Sequence, residues 1–338
     1  MLRALTVALL TLLLCFVGGY LATWGDYAVP ATVVDDPALP QQTIDGLRLH
    51  VEVFGQANPA TVIVVHGGPG GDYRGLLPLR ALADRYRVVF YDQRGSGLSE
   101  RPNSAQLTLA AMYRELEQLI ERVAGKRPVV LVGHSWGAML AVGFAARTPQ
   151  RVAALVLAEP GMLTTAAATH LMKATNNMRP KIGLETLFQL SKIWFKSLHV
   201  KGDADARADF FFSQVFNAPI ADHPLAGYFC DRRLDRAALA YWRFGARVSQ
   251  QLLSQARDGQ GRIQLDFVSG IERFSRPVLV IVGSCNTLIG EAFQRRFHLP
   301  HLVSAKLKVI AGAGHTMFGE KPGPSVKLVR DYLAQLAF

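Results

Sequence analysis

Hydrophobic positions fall into three regimes along the chain. Between Arg3 and Asp26 no charge interrupts the sequence, and residues 4–25 are dominated by Leu, Val, Ala and Phe. As a helix this stretch would rise about 33 Å, enough to cross the hydrocarbon core of a bilayer. From Thr43 onward, apolar runs rich in β-branched residues at 47–54, 61–65, 87–91, 128–132 and 152–157 alternate with helical patterns at 75–84, 108–124 and 136–147. Continuous apolar strands separated by helices predict an α/β fold with a mostly parallel sheet and helices on both faces. The alternation then stops. From about Met162 to Phe274 the chain carries helical patterns at 184–195, 204–216 and 237–256 and no strong strand run. Strand runs resume at 278–282 and 306–310, followed by an amphipathic helix at 325–336. The organisation expected is a membrane anchor or signal segment over 1–27, and a linker or edge segment, rich in Pro, Val and Asp, over 28–42. A core of 43–160 and 276–338 follows, interrupted by a helical cap over 161–275.

The apolar N-terminus bears on compartment. It is either a cleaved signal peptide, leaving a secreted or periplasmic protein, or an uncleaved transmembrane anchor. Its length favours the anchor, and Tyr20 and Trp24 beside the small residues Gly18, Gly19 and Ala22 suit a membrane interface better than a cleavage site. Cys15 follows Leu14, where a lipoprotein cleavage site would want a small residue. Arg3 and the terminal amine, held on the cytoplasmic side, place the remaining chain outside the cytoplasm.

Composition changes the picture only in part. In 338 residues, 50% hydrophobic and 19% charged, a disordered, collagen-like or coiled-coil chain is excluded. Three cysteines exclude a disulfide-rich scaffold and a four-cysteine zinc site. Cys230 and Cys285 either pair in an oxidising compartment or remain free and buried. A net charge of +11 suits a protein near anionic surfaces or a plain basic surface, and without a basic run or basic-aromatic motif no nucleic-acid partner is expected.

Gly133-His134-Ser135-Trp136-Gly137 lies between a strand and a helix. In such a turn the flanking glycines relieve steric collision and hold the serine oxygen exposed at the carboxyl edge of the sheet, with the N–H groups of the next helix turned toward developing negative charge. Ser135 is therefore the candidate nucleophile. His66-Gly67-Gly68-Pro69-Gly70 follows another strand, and its glycines let backbone N–H groups approach a substrate oxygen. The N–H groups of Gly68 and Trp136 are assigned to an oxyanion hole.

These motifs, with Asp92-Gln93-Arg94-Gly95-Ser96-Gly97-Leu98-Ser99 and Gly312-Ala313-Gly314-His315, resemble those of the α/β-hydrolase superfamily, and within it the proline iminopeptidase branch. The resemblance covers about 43–338 apart from the cap and implies an esterase, amidase or aminopeptidase. Asp92 and Arg94 are expected to order their loop, and His66 and His134 to be structural. His315 is the candidate base, in the chain order serine, acid, histidine. The other six histidines, at 50, 170, 199, 223, 298 and 301, are surface or packing residues.

The acid departs from the family's pattern. Where the resemblance places a carboxylate, three residues after the glycine closing the penultimate strand, stands Asn286. An amide supplies no full charge to an imidazolium. Either another carboxylate substitutes or catalysis is impaired. The candidate is Glu159, at the carboxyl end of the strand after the nucleophile helix, an arrangement similar to that of a branch of the haloalkane dehalogenases. Asn286 would then hydrogen-bond near His315.

The expected reaction is attack of Ser135 on a carbonyl, proton transfer to His315, and hydrolysis of an acyl-enzyme. No metal is implied, because His, Cys and carboxylates show no ligand spacing, and no GxGxxG unit marks a nucleotide cofactor. The substrate is a small ester, amide or short peptide. An iminopeptidase would need carboxylates for the substrate ammonium, and Glu185, Asp203, Asp205, Asp209 and Asp222 are available, most of them expected as solvated helix-face charges. The many aromatic residues of the cap favour an apolar acyl or alcohol group, ranking an ester hydrolase above a peptidase. A hydrolase-like binder without turnover is the reading that Asn286 supports and Ser135 and His315 oppose.

Overall fold

Apolar runs without polar alternation need cover on both faces, and the chain supplies it by winding helices around one sheet. The structure, a computed structural model, describes residues 2–58, 60–175, 183–218, 223–232 and 241–336. Helix α1 (Leu2–Ala22) precedes strands β1 (Tyr27–Ala28), β2 (Gln41–Ile44), β3 (Leu47–Phe54), β4 (Thr61–Val65) and β5 (Arg87–Tyr91). Then come α2 (Leu109–Ala124), β6 (Val129–His134), α3 (Trp136–Arg147) and β7 (Val152–Ala158). The inserted region carries α4 (Thr165–Ala174), α5 (Leu184–Ser197), β8 (Val200–Lys201), α6 (Ala206–Phe216) and α7 (Ala246–Gln255). The chain returns to the sheet with β9 (Val278–Gly283), α8 (Glu291–Phe297), β10 (Ala305–Ile310), α9 (Met317–Glu320) and α10 (Pro322–Leu333).

Eight strands form the main sheet in the order β10-β9-β7-β6-β4-β5-β3-β2. Pairing is parallel from β10 to β5, whereas β3 lies antiparallel to β5 and β2 antiparallel to β3. One face buries Leu119, Leu140 and Val280 in a cluster with residues of α2 and α3, and the other buries Leu79, Val130, Phe318 and Val329 with α9 and α10. Thr108 caps α2 by accepting from Ala111 N at 3.1 Å. The strand ends at β4, β6, β7 and β9 consequently share one edge of the sheet, where α/β folds place their ligands.

Three helices differ from the pattern expectations for local reasons. The helical pattern at 75–84 folds as a 3-10 segment, Arg74–Asp84, with Pro78 inside it unable to donate. The pattern at 237–256 gives a helix only from Ala246, after Gly245; residues 237–240 lie outside the described residues. The last helix begins at Pro322 rather than 325, because proline is tolerated in the first turn.

The stretch after α1 is docked. Tyr27 and Ala28 pair in parallel with Val200 and Lys201, and Val33, fully buried, donates its N–H to Leu98 O at 2.8 Å. The end of α1 also packs on α5 and the turn beyond it. Phe16 meets Trp194 and Phe195 with ring centroids 6.1 and 5.7 Å apart, and Tyr20 lies 4.2 Å from His199, whose Nε2 bonds Tyr20 O at 3.0 Å. A Cβ at Gly19 would stand 2.5 Å from the Phe195 ring, so glycine permits this approach.

Buried ion pairs knit the inserted region together, and one of them, Arg101–Asp209, joins it to the core. Asp209 is wholly buried and accepts from Arg243 Nε at 2.7 Å, Arg101 Nε at 3.2 Å and Ala246 N at 2.9 Å. Asp203 holds the Arg243 guanidinium through two 2.7 Å bonds, and Asp205 takes Arg247 at 2.6 Å. These three acids are therefore not solvated helix-face charges: arginines from elsewhere in the chain neutralise them. Removing one partner of a buried pair strands the other. Asp209→Ala is expected to lower unfolding free energy by about 3–5 kcal/mol, measured by denaturant titration of the full chain in detergent.

Candidate active site

The strand-to-helix turn at Ser135 is strained by design of its neighbours. Ser135 has φ 53° and ψ −115°, and a Cβ on either flanking glycine would collide with backbone: Gly133 with Ala138 Cα at 2.6 Å, Gly137 with the Val65 and His66 carbonyl groups. Ser135 N donates to Ala158 O at 2.9 Å, which ties the turn to the end of β7. Its hydroxyl makes no hydrogen bond among the described residues, so it stands free at the sheet edge.

Gln93 links this turn to the one after β4. Its Nε2 donates to His66 O at 2.9 Å, its backbone N to His66 Nε2 at 2.9 Å, and its Oε1 accepts Trp136 Nε1 at 3.0 Å. The backbone N–H groups of Gly68 and Trp136 donate to no other group among the described residues. Asp92 accepts from Tyr73 N and Leu98 N and pairs with His50, while Arg94 holds Glu115 at 3.0 Å. Both side chains are spent on ordering their loop.

Glu159 follows β7 directly, with φ 44° and a fully buried side chain. Oε1 accepts Gly283 N at 2.7 Å, and Oε2 accepts Asn286 Nδ2 at 2.6 Å and faces His315 Nδ1 at 2.6 Å. Asn286 is oriented by its other end: Oδ1 accepts Leu288 N at 2.9 Å and Ile289 N at 3.0 Å, which leaves Nδ2 to donate. The amide thus bonds to the carboxylate rather than to the imidazole. With a carboxylate at Nδ1 the ring proton belongs there, and Nε2 keeps its lone pair.

Burial pushes the His315 imidazole down to about 4, favouring its neutral form. Burial pushes the Glu159 carboxyl up to about 8, and the donors Gly283 N and Asn286 Nδ2 pull back toward the ionised form. His134 is likewise held down, to about 3, by burial, so its neutral ring donates from Nε2 to His315 O at 2.8 Å.

Several groups around His315 carry no motif that marks them. His315 N donates to Tyr228 O at 2.7 Å, and the Tyr228 ring stacks on the imidazole at 4.4 Å. Glu320 accepts Gly314 N at 2.7 Å, Thr316 N at 3.1 Å and Thr316 Oγ1 at 2.7 Å, clamping both sides of the histidine. Cys230 and Cys285 are disulfide-bonded, joining the turn that bears Tyr228 to the loop that bears Asn286.

Gly68, Ser135, Trp136 and His315 line one cavity of about 430 Å³, closed by Leu171, Phe216, Phe244 and Leu252 of the inserted helices and the residues beside them. Asp72 also lines it, but its oxygens accept Arg74 N, Trp242 N and Arg243 N. Among the described residues no cluster of His, Cys, Asp or Glu is suited to a metal ion.

A model of the alpha/beta hydrolase fold matches residues 60–322. A segment of 121 residues is 36% identical to a cis-3-alkyl-4-alkyloxetan-2-one decarboxylase of Shewanella oneidensis, covering 35% of this chain and 37% of that protein. Another similarity, 37% over 120 residues, is to a proline iminopeptidase of Heyndrickxia coagulans, with 35% of this chain and 41% of the relative covered. The chain thus spans about two-fifths of the length of these curated relatives. A solved membrane phospholipase A, a bacterial virulence factor, shares the fold with a TM-score of 0.59 at 18% identity, over 98% of this chain and 96% of that one. Since the matched region runs from the start of β4 past His315 and takes in every strand end that meets at the cavity, the chain belongs to the alpha/beta hydrolase fold family, and within it resembles the proline iminopeptidases.

Proposed function

We propose that this chain is a serine hydrolase that cleaves carboxylic esters through an acyl-enzyme, with α1 as a membrane anchor and the catalytic region outside the cytoplasm. The observation that carries the proposal is the 2.6 Å contact between Glu159 and His315, beside a free serine hydroxyl in the same cavity. In this mechanism Ser135 Oγ attacks the carbonyl carbon as its proton passes to His315 Nε2, and Glu159 stabilises the imidazolium. The N–H groups of Gly68 and Trp136 receive the oxyanion. Collapse expels the alcohol, which takes the proton from His315, and water then attacks the acyl-Ser135 by the same route in reverse.

The membrane assignment draws support from two sides. Helix α1 carries an 18-residue apolar window, Leu5–Ala22, exposed along its length, and its end is packed against the inserted helices as a retained segment would be. The Cys230–Cys285 disulfide suits an oxidising compartment.

Similarity to proline iminopeptidases favours a second reading, an aminopeptidase. Such an enzyme needs a carboxylate free to hold an ammonium. Asp203, Asp205 and Asp209 are taken by arginines, Asp72 by backbone N–H groups, Glu185 is exposed on α5, and Asp222 lies outside the described residues. The apolar lining favours esters with an apolar acyl or alcohol group.

Fluorophosphonate labelling is expected for the wild type, absent in Ser135→Ala and strongly slowed in Glu159→Gln, whose ester turnover should fall roughly 10⁴-fold. An unlabelled wild type would favour a binder without turnover. On a panel of p-nitrophenyl esters beside proline and alanine arylamides, we expect the octanoate ester to exceed every arylamide in kcat/KM; the reverse order would establish the aminopeptidase. Asn286 Nδ2 stabilises the charged carboxylate, so its loss raises the pKa of Glu159 and makes the pair take up its proton at higher pH. The acidic limb of kcat/KM should accordingly move up by about one pH unit in Asn286→Ala, read from a pH-rate profile.

A further inference from the structure

Helix α5 leaves large apolar side chains uncovered where it runs beside the anchor. Leu184 is 89% exposed, Phe188 66%, Leu187 54% and Trp194 44%. At 100° per residue these four and Phe195 fall within an arc of about 120°, while Glu185, Lys192 and Lys196 cluster on an arc beside it. That is the division of an interfacial amphipathic helix, with basic residues next to an apolar stripe.

Contacts with α1 fix its level. Phe195 packs on Phe16 and Gly19, and Phe16 also meets Trp194. Phe16 lies six residues before Ala22, where the apolar window ends, or about 9 Å of helix rise. If α1 spans the bilayer, the side chains touching Phe16 lie below the outer boundary of the hydrocarbon region, whose outer half is about 15 Å deep. Contacts also advance in the same sense along both segments, from Phe16 with Trp194 and Phe195 to Tyr20 and, just past the end of α1, Trp24 with His199 in the turn after α5. The earlier residues of α5 are therefore directed toward the bilayer, not away from it. Tyr20, Trp24 and Tyr27 form an aromatic belt above this level, near the outer boundary, and Lys196 lies 5.6 Å from the Tyr27 ring, positioned to meet headgroups.

We infer that α5 is a second membrane element: its Leu184–Leu187–Phe188–Trp194 stripe beds in the acyl chains of the outer leaflet beside α1, with Lys196 at anionic headgroups and the long stem of Lys192 reaching up toward them. This rests on α1 being the anchor. It presents the region covering the cavity to substrates dissolved in the membrane.

The test uses the full chain with Cys15→Ser, in vesicles of phosphatidylethanolamine and phosphatidylglycerol with brominated acyl chains. A nitrobenzoxadiazole fluorophore is placed singly at Leu187→Cys, Phe188→Cys, Leu12→Cys in α1, or Lys327→Cys on the exposed face of α10. Quenching at 187 and 188 should reach at least half of that at 12, with none at 327. Quenching at 12 but not at 187 or 188 overturns the inference and leaves the anchor standing. No quenching at 12 removes the anchor and α5 with it. Disulfide crosslinking between copies at 188, without lipid quenching, would make the stripe an interface between two chains and also overturn it. As a second measurement, Leu187→Glu with Phe188→Glu should lower hydrolysis of a vesicle-borne ester at least about fivefold, leaving soluble p-nitrophenyl butyrate unaffected; equal loss on both substrates would count against the membrane role.

Discussion

A carboxylate and an imidazole withdrawn from water at the edge of the sheet are costly unless each satisfies the other, and the 2.6 Å contact between Glu159 and His315 meets that condition. Its geometry comes from the pairing of β7 with β9. Glu159 N donates to Ile281 O at 2.8 Å, so the side chain leaves β7 facing the end of the neighbouring strand, where Gly283 N is waiting. The identity of residue 286 follows from this arrangement. A second carboxylate there would face Glu159 as a like charge in a buried site and push one of the two toward protonation. An amide donates instead, and the side chain that departs from the family pattern becomes a hydrogen-bonding partner of the acid.

The same contact explains why so many groups outside the sheet converge on residues 226–232 and 284–320. His315 sits on a loop, and a loop holds an imidazole only as well as its own backbone is held. Tyr228 takes the His315 N–H, His134 takes its carbonyl, and Glu320 ties the residues on both sides. The Cys230–Cys285 bond and the 2.8 Å bond from Thr287 N to Gly227 O fasten the Tyr228 turn to the Asn286 loop. Part of the inserted region is thus a wall of the His315 site as well as of the substrate cavity.

What could be read from sequence divides by range of interaction. Strands β3 to β7, β9 and β10, the Ser135 turn, the His66–Gly70 turn and the helices at 108–124 and 136–147 follow from local rules: apolar runs, helical periodicity and flanking glycines. Glu159 is named by two signals together: the amide at 286, which leaves the imidazole without charge, and the resemblance to haloalkane dehalogenases that carry the acid after the strand following the nucleophile helix. The roles of Tyr228 and Glu320 were not legible, since neither lies in a pattern and each acts through backbone contacts made only when distant segments meet. Asp209 read as a surface charge because the arginines that bury it come from positions 101 and 243. The docking of residues 27–44 was equally hidden: Val33 carries no signal for its bond to Leu98.

The short distance between α1 and the rest of the fold would tie location to chemistry. Four residues separate Ala22 from Tyr27, and Tyr27 is already paired with β8, so α1 is coupled to the inserted region, not suspended from a flexible tether. Contacts of the Tyr20 and Trp24 rings with His199 add to that coupling. Under the proposed anchoring, an enzyme held in this way would meet bilayer-dissolved molecules along a fixed approach. A cavity of about 430 Å³ with apolar walls gains from that arrangement, because an acyl chain leaving lipid for such a cavity exchanges one apolar surrounding for another and loses little in transfer. A short prolyl peptide, already in water and bearing an ammonium, would gain nothing from such an anchor, and the carboxylate named at the cavity, Asp72, is already taken up by backbone N–H groups.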